Sequence, residues 1–568
     1  MKNNMHKRPS GAFFYFINVK SLLIFVIAAF LIVFNLLPMC YLVFRSFVGE
    51  NGFTLDAFKR IYTYPLNWNA LKNTLITAGF SMIFGVMIAF PLAWLIGRTD
   101  MYGRKFFRTL FVMTYMVPPY VGAMAWLRLL NPKVGTLNML LVNIFGLSES
   151  PFNIYTTGGL IWVLTTFYYP YAFITISRAL ENMDPSLEEA SKISGASPLR
   201  TVMTITFPIM LPSIIAAGLL VFISAASCYG IPSIIGAPGQ IDTVTTRIID
   251  YVYVGSSEGL NDATTLSVSL MLIANLVLYV STFMTGRKKY ITISGKSVRP
   301  NIVELGKWRI PVTFLVIIFA LIVVVIPFVT VAMTSFTKNL GKPLSSSNFT
   351  MRYWDTLFTR KAILDTIKNS LISASAAATF GIAISCIMAW LLTRTNAKGR
   401  HIPDYLITLG SGTPSIVIAL GLIMTMSGRF GINIYNTLTI MIIAYMVKYM
   451  LMGMRTIVSA MSQIHPSLEE AALISGAEWQ RGFRDITLPL IMPSVVAGWF
   501  LIFMPSFYEL TMSTLLYSTD TKTIGYELFT YQTYHSQQMA STIATGILLM
   551  VIIVNWLLNK LTKGTFSI

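Results

Sequence analysis

The chain has 568 residues, 55% hydrophobic and only 11% charged, with a mean hydropathy of +0.66. Soluble chains carry about 25% charged residues, so a soluble globular protein is excluded. The net charge of +19 comes from Lys and Arg gathered between apolar runs, which sets membrane topology; no basic-and-aromatic constellation marks a nucleic-acid partner. The three cysteines, Cys40, Cys228 and Cys386, each lie in an apolar run, and the four histidines are scattered. They supply neither a disulfide framework nor the spacing of metal ligands.

In chain order, Lys2, Lys7 and Arg8 precede a first apolar run at 21–43. It is long enough to cross a hydrocarbon core of roughly 30 Å and longer than the apolar region of a signal peptide. It reads as a retained span with the N-terminus inside. The second span, 73–96, is followed by GRTDMYGRK at 97–105. That turn resembles a loop of major-facilitator transporters. It recurs as TRTNAKGRH at 393–401, with Asn396 in place of the Asp, and reads as a basic cytoplasmic turn that enforces orientation. A third span at 107–130 is interrupted by Pro118 and Pro119, and a fourth covers 157–180. The fifth and sixth are expected at 213–235 and 264–286. Between them Asp242, Asp250, Glu258 and Asp262, with Arg247 as the one base, suit the outer face. Residues 287–289, Arg-Lys-Lys, mark the inner one.

The polar stretch after the fourth span is present twice. DPSLEEASKISGASPLRTVMTITFPIMLPS begins at Asp184 and HPSLEEAALISGAEWQRGFRDITLPLIMPS at His465, an ungapped offset of 281. Asp184 is suited to cap a helix with Pro185 at its first position. Gly195 is placed to end that helix in a left-handed turn. Ser197 and Pro198 restart a second short helix, which Pro208 is expected to stop. The result is an elbow with exposed carboxylates.

Glu189, Ala190, Ser191, Gly195, Ile205 and Pro208, and again Glu470, Ala471, Ala472, Gly476, Ile486 and Pro489, resemble the cytoplasmic EAA loop in permease subunits of ABC importers. Ser191 departs from the pattern by replacing its second Ala. The resemblance implies a loop that inserts into a groove on a cytoplasmic ATPase, one ATPase copy per loop. It also implies an extracytoplasmic solute-binding protein as partner. The chain would then be a multi-pass subunit of the cell membrane that transports, with no catalytic residue, cofactor or resident metal of its own.

A basic linker at 291–309 divides a first half, 1–290, from a second, 310–568. Its SGKS at 294–297 has Tyr290 where a phosphate-binding loop needs Gly, and no strand precedes it. The second half repeats the first. Residues 36–47 parallel 325–336, and 71–99 parallel 367–395 at an offset of 296. The 15 extra residues of the first half (296 − 281) are assigned to the loop after its third span. The expected fold is an all-α integral membrane protein of about twelve transmembrane helices in two parallel six-helix repeats, related by a pseudo-two-fold axis along the membrane normal. Lys560 and Lys563 place the C-terminus inside with the N-terminus.

Ionisable residues inside spans mark a pathway or a specific pair. Lys448 lies in the tenth span, 437–459, and Glu509 in the eleventh, 494–517; at an offset of 281 they fall on Phe167 and Cys228. They read as pathway-lining residues, as a buried ion pair, or with Glu509 capping broken backbone near Pro505. Prolines 91, 118, 119, 170, 414 and 505 are expected to kink spans. GIPSIIG at 230–236, TTRIIDYV at 245–252 and AGWFLIFMPSFYELTMSTLLY at 497–517 are similar to ferric-iron permeases. Thiamine, aminoethylphosphonate and polyamine permeases share much of the pattern. Ferric iron prefers hard oxygen ligands, which Tyr168, Tyr169, Tyr229, Tyr508 and Glu509 could offer. The contrasting class is a twelve-span proton-coupled secondary transporter. It would carry intramembrane carboxylate relays and no matched loops, and the single Glu509 beside a doubled loop argues against it.

The topology is testable with single cysteines and an impermeant thiol reagent in intact cells. Ser256→Cys should label from outside and Ser186→Cys should not; outside labelling at 186 would invert the assignment.

Overall fold

The computed structural model describes residues 10–49, 52–286, 302–342, 345–477 and 479–561. The basic residues 287–289, SGKS at 294–297, and Lys2, Lys7, Arg8 and Lys563 lie outside them. Apart from a two-strand ribbon, Val48–Gly49 with Gly52–Phe53, the described elements are helical. In the first half the long apolar helices are α1 Val19–Ser46, α2 Pro65–Arg98, the pair α3 Arg104–Tyr115 and α4 Pro119–Leu130, then α5 Thr157–Glu181, α6 Pro198–Ala226 and α7 Ser257–Ser281. The second half repeats the order: α8 Gly306–Thr334, α9 Lys361–Arg394, the pair α10 His401–Gly412 and α11 Ser415–Met426, α12 Leu438–Gln463, α13 Phe483–Phe507 and α14 Gln537–Leu558.

The two paired helices are bent by 103° and 110°. The bends sit at Pro118–Pro119 and Pro414, where the proline at the break has an extended ψ of 132° or 139°. Proline also pushes the residue before it out of helical conformation. α2 and α5 pack side by side and end on one face, as do α9 and α12. The chain between them must therefore cross back, and each bent pair completes a span. Among the described residues, ten single helices and two bent pairs account for the twelve expected spans.

Proline shapes the straight helices differently. Pro38, Pro208, Pro327 and Pro489 each follow a π-turn, at Ile32–Leu36, Val202–Thr206, Leu321–Val325 and Phe483–Thr487. A proline inside a helix has no N–H and clashes with the carbonyl four residues back. Widening one turn to i→i−5 bonding accommodates both. Pro208 therefore does not stop a helix, contrary to the sequence expectation, nor does Pro489, and α6 runs unbroken from Pro198 to Ala226. The fifth and eleventh spans instead break at 227–229 and after Phe507, short of the expected ends at 235 and 517.

The repeat persists in single hydrogen bonds. The Asn73 amide donates to the Asp242 carbonyl at 3.0 Å, and Asn369 to that of Asp520 at 2.8 Å. Val244 N–H donates to Thr74 Oγ1 at 2.9 Å, and Ile524 N–H to Ser370 Oγ at 2.8 Å. The extra residues of the first half lie where expected: 131–156, with a helix at Thr136–Phe145, corresponds to the shorter 427–437 in the second half.

The halves exchange their first spans. α1 packs on α10 and α11, and α8 on α4. Asn35 donates to the Leu406 carbonyl at 2.6 Å, and Pro38 and Leu42 close on Gly421. Helices approach closely where a side chain is missing, the usual means of packing in lipid. A Cβ on Gly122 of α4 would lie 1.8 Å from the Phe167 ring of α5, itself 6.2 Å from the Phe328 ring of α8. Gly122→Ala should therefore destabilise the purified protein by about 1–3 kcal/mol, an overpacking cost. Adding Phe167→Leu should recover most of the loss in thermal unfolding; an unaffected single variant would contradict this packing.

Candidate functional site

Each repeated loop is a compact elbow. Asp184 Oδ1 accepts the Ser186 N–H at 2.9 Å, which holds its carboxyl below the usual carboxylate range. In the second loop the acceptor is His465 Nδ1, 3.2 Å from the Ser467 nitrogen. The helices that follow are Ser186–Ile193 and Ser467–Ile474. Gly195 and Gly476 end them at φ 80° and 83°, with nothing within 4 Å of a Cβ placed on either. Glycine is thus required for backbone conformation, not for space. Ser197 Oγ caps the short helix Pro198–Thr201 at 3.4 Å.

Glu189 and Glu470 are exposed, as are Ala190 and Ala471, while Ala472 is half-buried. Pro208 and Pro489 are exposed at the foot of α6 and α13. The tips also expose apolar side chains that the sequence reading did not single out, Ile193 at 88% and Ile474 at 87%. Ser191 does more than substitute for a small residue. It is buried and hydrogen-bonds Thr201 at 2.8 Å, closing the elbow. At an offset of 281 those positions are Ala472 and Gly482, and a Cβ on Gly482 would touch that of Ala472 at 3.4 Å. One elbow is closed by a hydroxyl pair and the other by a close apolar approach.

Between the halves lies a cavity of about 350 Å³, bordered by the bends at Pro118–Pro119 and Pro414 and by the breaks in the fifth and eleventh spans. Lys448 and Glu509 both line it, but they do not form an ion pair within 4 Å, which corrects that part of the sequence reading. Each already serves a broken helix, whose end leaves polar backbone groups without partners. Lys448 Nζ donates to the carbonyls of Ser411 at 2.9 Å and Thr413 at 2.7 Å. Glu509 Oε2 accepts the N–H groups of Met512 at 2.7 Å and Ser513 at 3.0 Å, where the chain turns helical again at Thr511–Leu516. The capping alternative for Glu509 is the geometry observed.

The first half contributes to the same break: Tyr120 OH donates to the Tyr508 carbonyl at 2.9 Å. Of the expected oxygen donors, Tyr168, Tyr229, Tyr508 and Glu509 line the cavity. Tyr169 does not; it is fully buried, 5.6 Å from the Phe319 ring. Tyr115, Tyr171 and Tyr449 also line the cavity and were missed. Their nearness to Pro118, Pro170 and Lys448 was the available signal.

A family model described as "Binding-protein-dependent transport system inner membrane component" matches residues 85–339 and 381–566. The putative ferric transport system permease protein FbpB 1 of Haemophilus influenzae is 26% identical over 89% of this chain and 79% of its own length. The ferric transport system permease protein FbpB of Actinobacillus pleuropneumoniae is 25% identical over 86% and 70%. A putative 2-aminoethylphosphonate transport system permease protein PhnU of Salmonella typhi is 30% identical over 36% of this chain and 70% of its own. Among solved structures, a bacterial ABC transporter involved in the import of alginate aligns with a TM-score of 0.39 and 20% identity, covering 45% of this chain and 92% of that one.

The capping geometry sets an expectation. Lys448→Met and Glu509→Leu should each destabilise the purified protein by about 1–3 kcal/mol, because each strands buried backbone groups. A double-mutant cycle should give a coupling smaller than either single cost; a coupling as large as the single costs would restore a direct pair.

Proposed function

The chain belongs to the family of binding-protein-dependent transport system inner membrane components, and we propose that its two repeated loops are the points at which ATP hydrolysis by separate subunits drives transport of ferric iron. The observation that carries this reading is the doubled elbow. Two loops of the same shape, on the same face, each present an exposed carboxylate, Glu189 or Glu470, and an exposed isoleucine, Ile193 or Ile474. An apolar tip beside a charge suits insertion into a groove with a basic rim. With one ATPase subunit on each loop, closure of the ATPase pair would draw the loops together and open the cavity toward the opposite face. That face would receive cargo from a solute-binding protein. The loops, both termini and the linker would lie on the cytoplasmic side of the inner membrane.

Ferric iron is favoured over a phosphonate by extent of likeness. The relatives named for ferric transport match nearly the whole chain, and the phosphonate relative about a third of it. The cavity's tyrosine hydroxyls and its one carboxylate also suit a hard cation.

Glu189→Ala with Glu470→Ala should leave folding intact, since surface changes stay within about 0.5 kcal/mol. It should lower both retention of the ATPase in pull-down and uptake of radiolabelled ferric iron, at matched membrane levels. Normal retention and normal uptake would remove the loops as docking points. Retention lost together with uptake of aminoethylphosphonate, with iron uptake unchanged from the start, would keep the machinery and replace the cargo.

A further inference from the structure

The repeated loops contain a second carboxylate that does not face outward. Glu188 and Glu469 stand one residue before the exposed pair and turn toward the spans. Arg98, the last residue of α2, approaches Glu188 with Nε 3.4 Å from Oε2. Its Nη2 donates to the carbonyls of Leu180 at 2.8 Å and Met183 at 3.3 Å, at the end of α5. The other oxygen of Glu188 accepts from Thr206 Oγ1 at 2.8 Å, in the π-turn that opens α6. The second half brings the same positions together, with both bonds on one carboxylate oxygen. Arg394 Nε donates to Glu469 Oε1 at 2.9 Å, and its Nη2 to the carbonyls of Met461 at 3.0 Å and Ile464 at 2.8 Å. Thr487 Oγ1 donates to Glu469 Oε1 at 2.9 Å.

The two arginine side chains are 3% and 8% exposed. A residue that only marks orientation works at the water or headgroup boundary, where its charge is solvated. These two are withdrawn from it, each held beside a carboxylate and bonded to two carbonyls at the end of a neighbouring span. The 15-residue difference between the halves falls between the arginine and the rest of the cluster, and the cluster recurs across it. Taking a charge pair out of water has a desolvation cost that can exceed the attraction gained, so a pair kept in both halves points to placement. Each cluster joins one loop helix to the ends of three spans. Two of those, α5 and α6 or α12 and α13, carry cavity residues further along, such as Tyr171 and Tyr449.

We propose that Arg98–Glu188–Thr206 and Arg394–Glu469–Thr487 are twin rigid links that pass movement of each loop to the spans around the cavity, with Glu188 and Glu469 as positioning residues. The inference rests on the importer reading above. In it the adjacent glutamates divide the work: Glu189 and Glu470 meet the partner, while Glu188 and Glu469 transmit what the partner does.

The test uses the full chain reconstituted with its ATPase and two pairs of spin labels. Ser186→Cys with Ser467→Cys reports on the loops, and Gly158→Cys with Thr439→Cys on the opposite ends of α5 and α12; all four positions are exposed. With intact links, ATP should change both distances. With the isosteric Glu188→Gln and Glu469→Gln, the loop pair should still respond and ATP should still be hydrolysed. The response at the far ends should shrink, and transport per ATP should fall about 2- to 30-fold, the range of coupling changes carried by residues that touch no ligand. If the glutamine variants do not assemble, Thr206→Val with Thr487→Val removes only the bond to α6 and α13 and should give the same split. Wild-type responses at both pairs with unchanged transport per ATP would overturn the links alone. A wild-type chain that retains no ATPase and shows no response at the loops would overturn the importer reading, and the links with it.

Discussion

A hydrocarbon core offers no water to a backbone N–H or C=O, so every such group must find a partner within the protein. Unbroken helices meet that demand by themselves, and α2, α5, α9 and α12 do so. A cavity that can hold a polar solute requires the opposite, since a wall of continuous helix presents only side chains. This chain breaks its helices at matched registers in both halves, at Pro118–Pro119 and Pro414, and again at 227–229 and after Phe507. The polar groups so released explain most of the unusual residues nearby. Lys448 takes up carbonyls, Glu509 takes up N–H groups, and Tyr120 reaches across from the other half to a carbonyl of the break that Glu509 serves.

The halves solve the same problem with different chemistry. At the first-half position matching Glu509, Cys228 has no charge to offer, and its carbonyl accepts the Thr245 hydroxyl at 2.8 Å. Position 167, matching Lys448, is an apolar ring that fills the space over Gly122. A backbone of two-fold kind thus encloses a cavity whose charge lies entirely on one side. In a homodimeric arrangement both sides would carry Lys and Glu. Fusion of the halves into one chain lets each copy drift, and the exchange of first spans holds the drifted copies in register. The same freedom shows in the turn after α2. Asp100 accepts the Leu305 N–H at 2.9 Å and lies 3.6 Å from Arg309, fastening the end of the linker to the first half. Asn396, its counterpart, only accepts a 3.3 Å bond from neighbouring Arg400. The departure of Asn from Asp in the repeat therefore has a structural cause.

Much of this was legible because repetition and proline are strong local signals. The spans, the offsets and the loop that holds the 15 extra residues followed from pattern alone. Two kinds of reading failed. Pro208 was taken as a helix stop, since sequence gives the missing N–H but not whether the preceding turn can widen. Arg98 and Arg394 were read only as part of basic turns that enforce orientation, since composition gives the sign of a residue but not its burial. The recurrence of Arg98 at an offset of 296 and of Glu188 and Thr206 at 281 was visible, yet only the fold brings residues 90 and 18 positions apart to one carboxylate. That Lys448 and Glu509 stand beyond ion-pair distance was hidden for a related reason. Two opposite charges in neighbouring spans suggest each other, but broken helix ends compete for both, and at these distances the backbone has won.

The consecutive glutamates of each loop face different ways. Adjacent positions on a helix are about 100° apart and do not share a face. Glu188 and Glu469 point to the spans and Glu189 and Glu470 to the outside, and a one-residue slip of the loop helix would misdirect both. Register is set from both ends: by the Asp184 or His465 acceptor at the start, and by Gly195 or Gly476 at the finish. The left-handed glycine fixes where the helix stops, and its conformation would penalise any Cβ by roughly 1–2 kcal/mol. In this arrangement the glycine, beside which a Cβ would meet nothing, determines which carboxylate meets the arginine inside and which is left exposed.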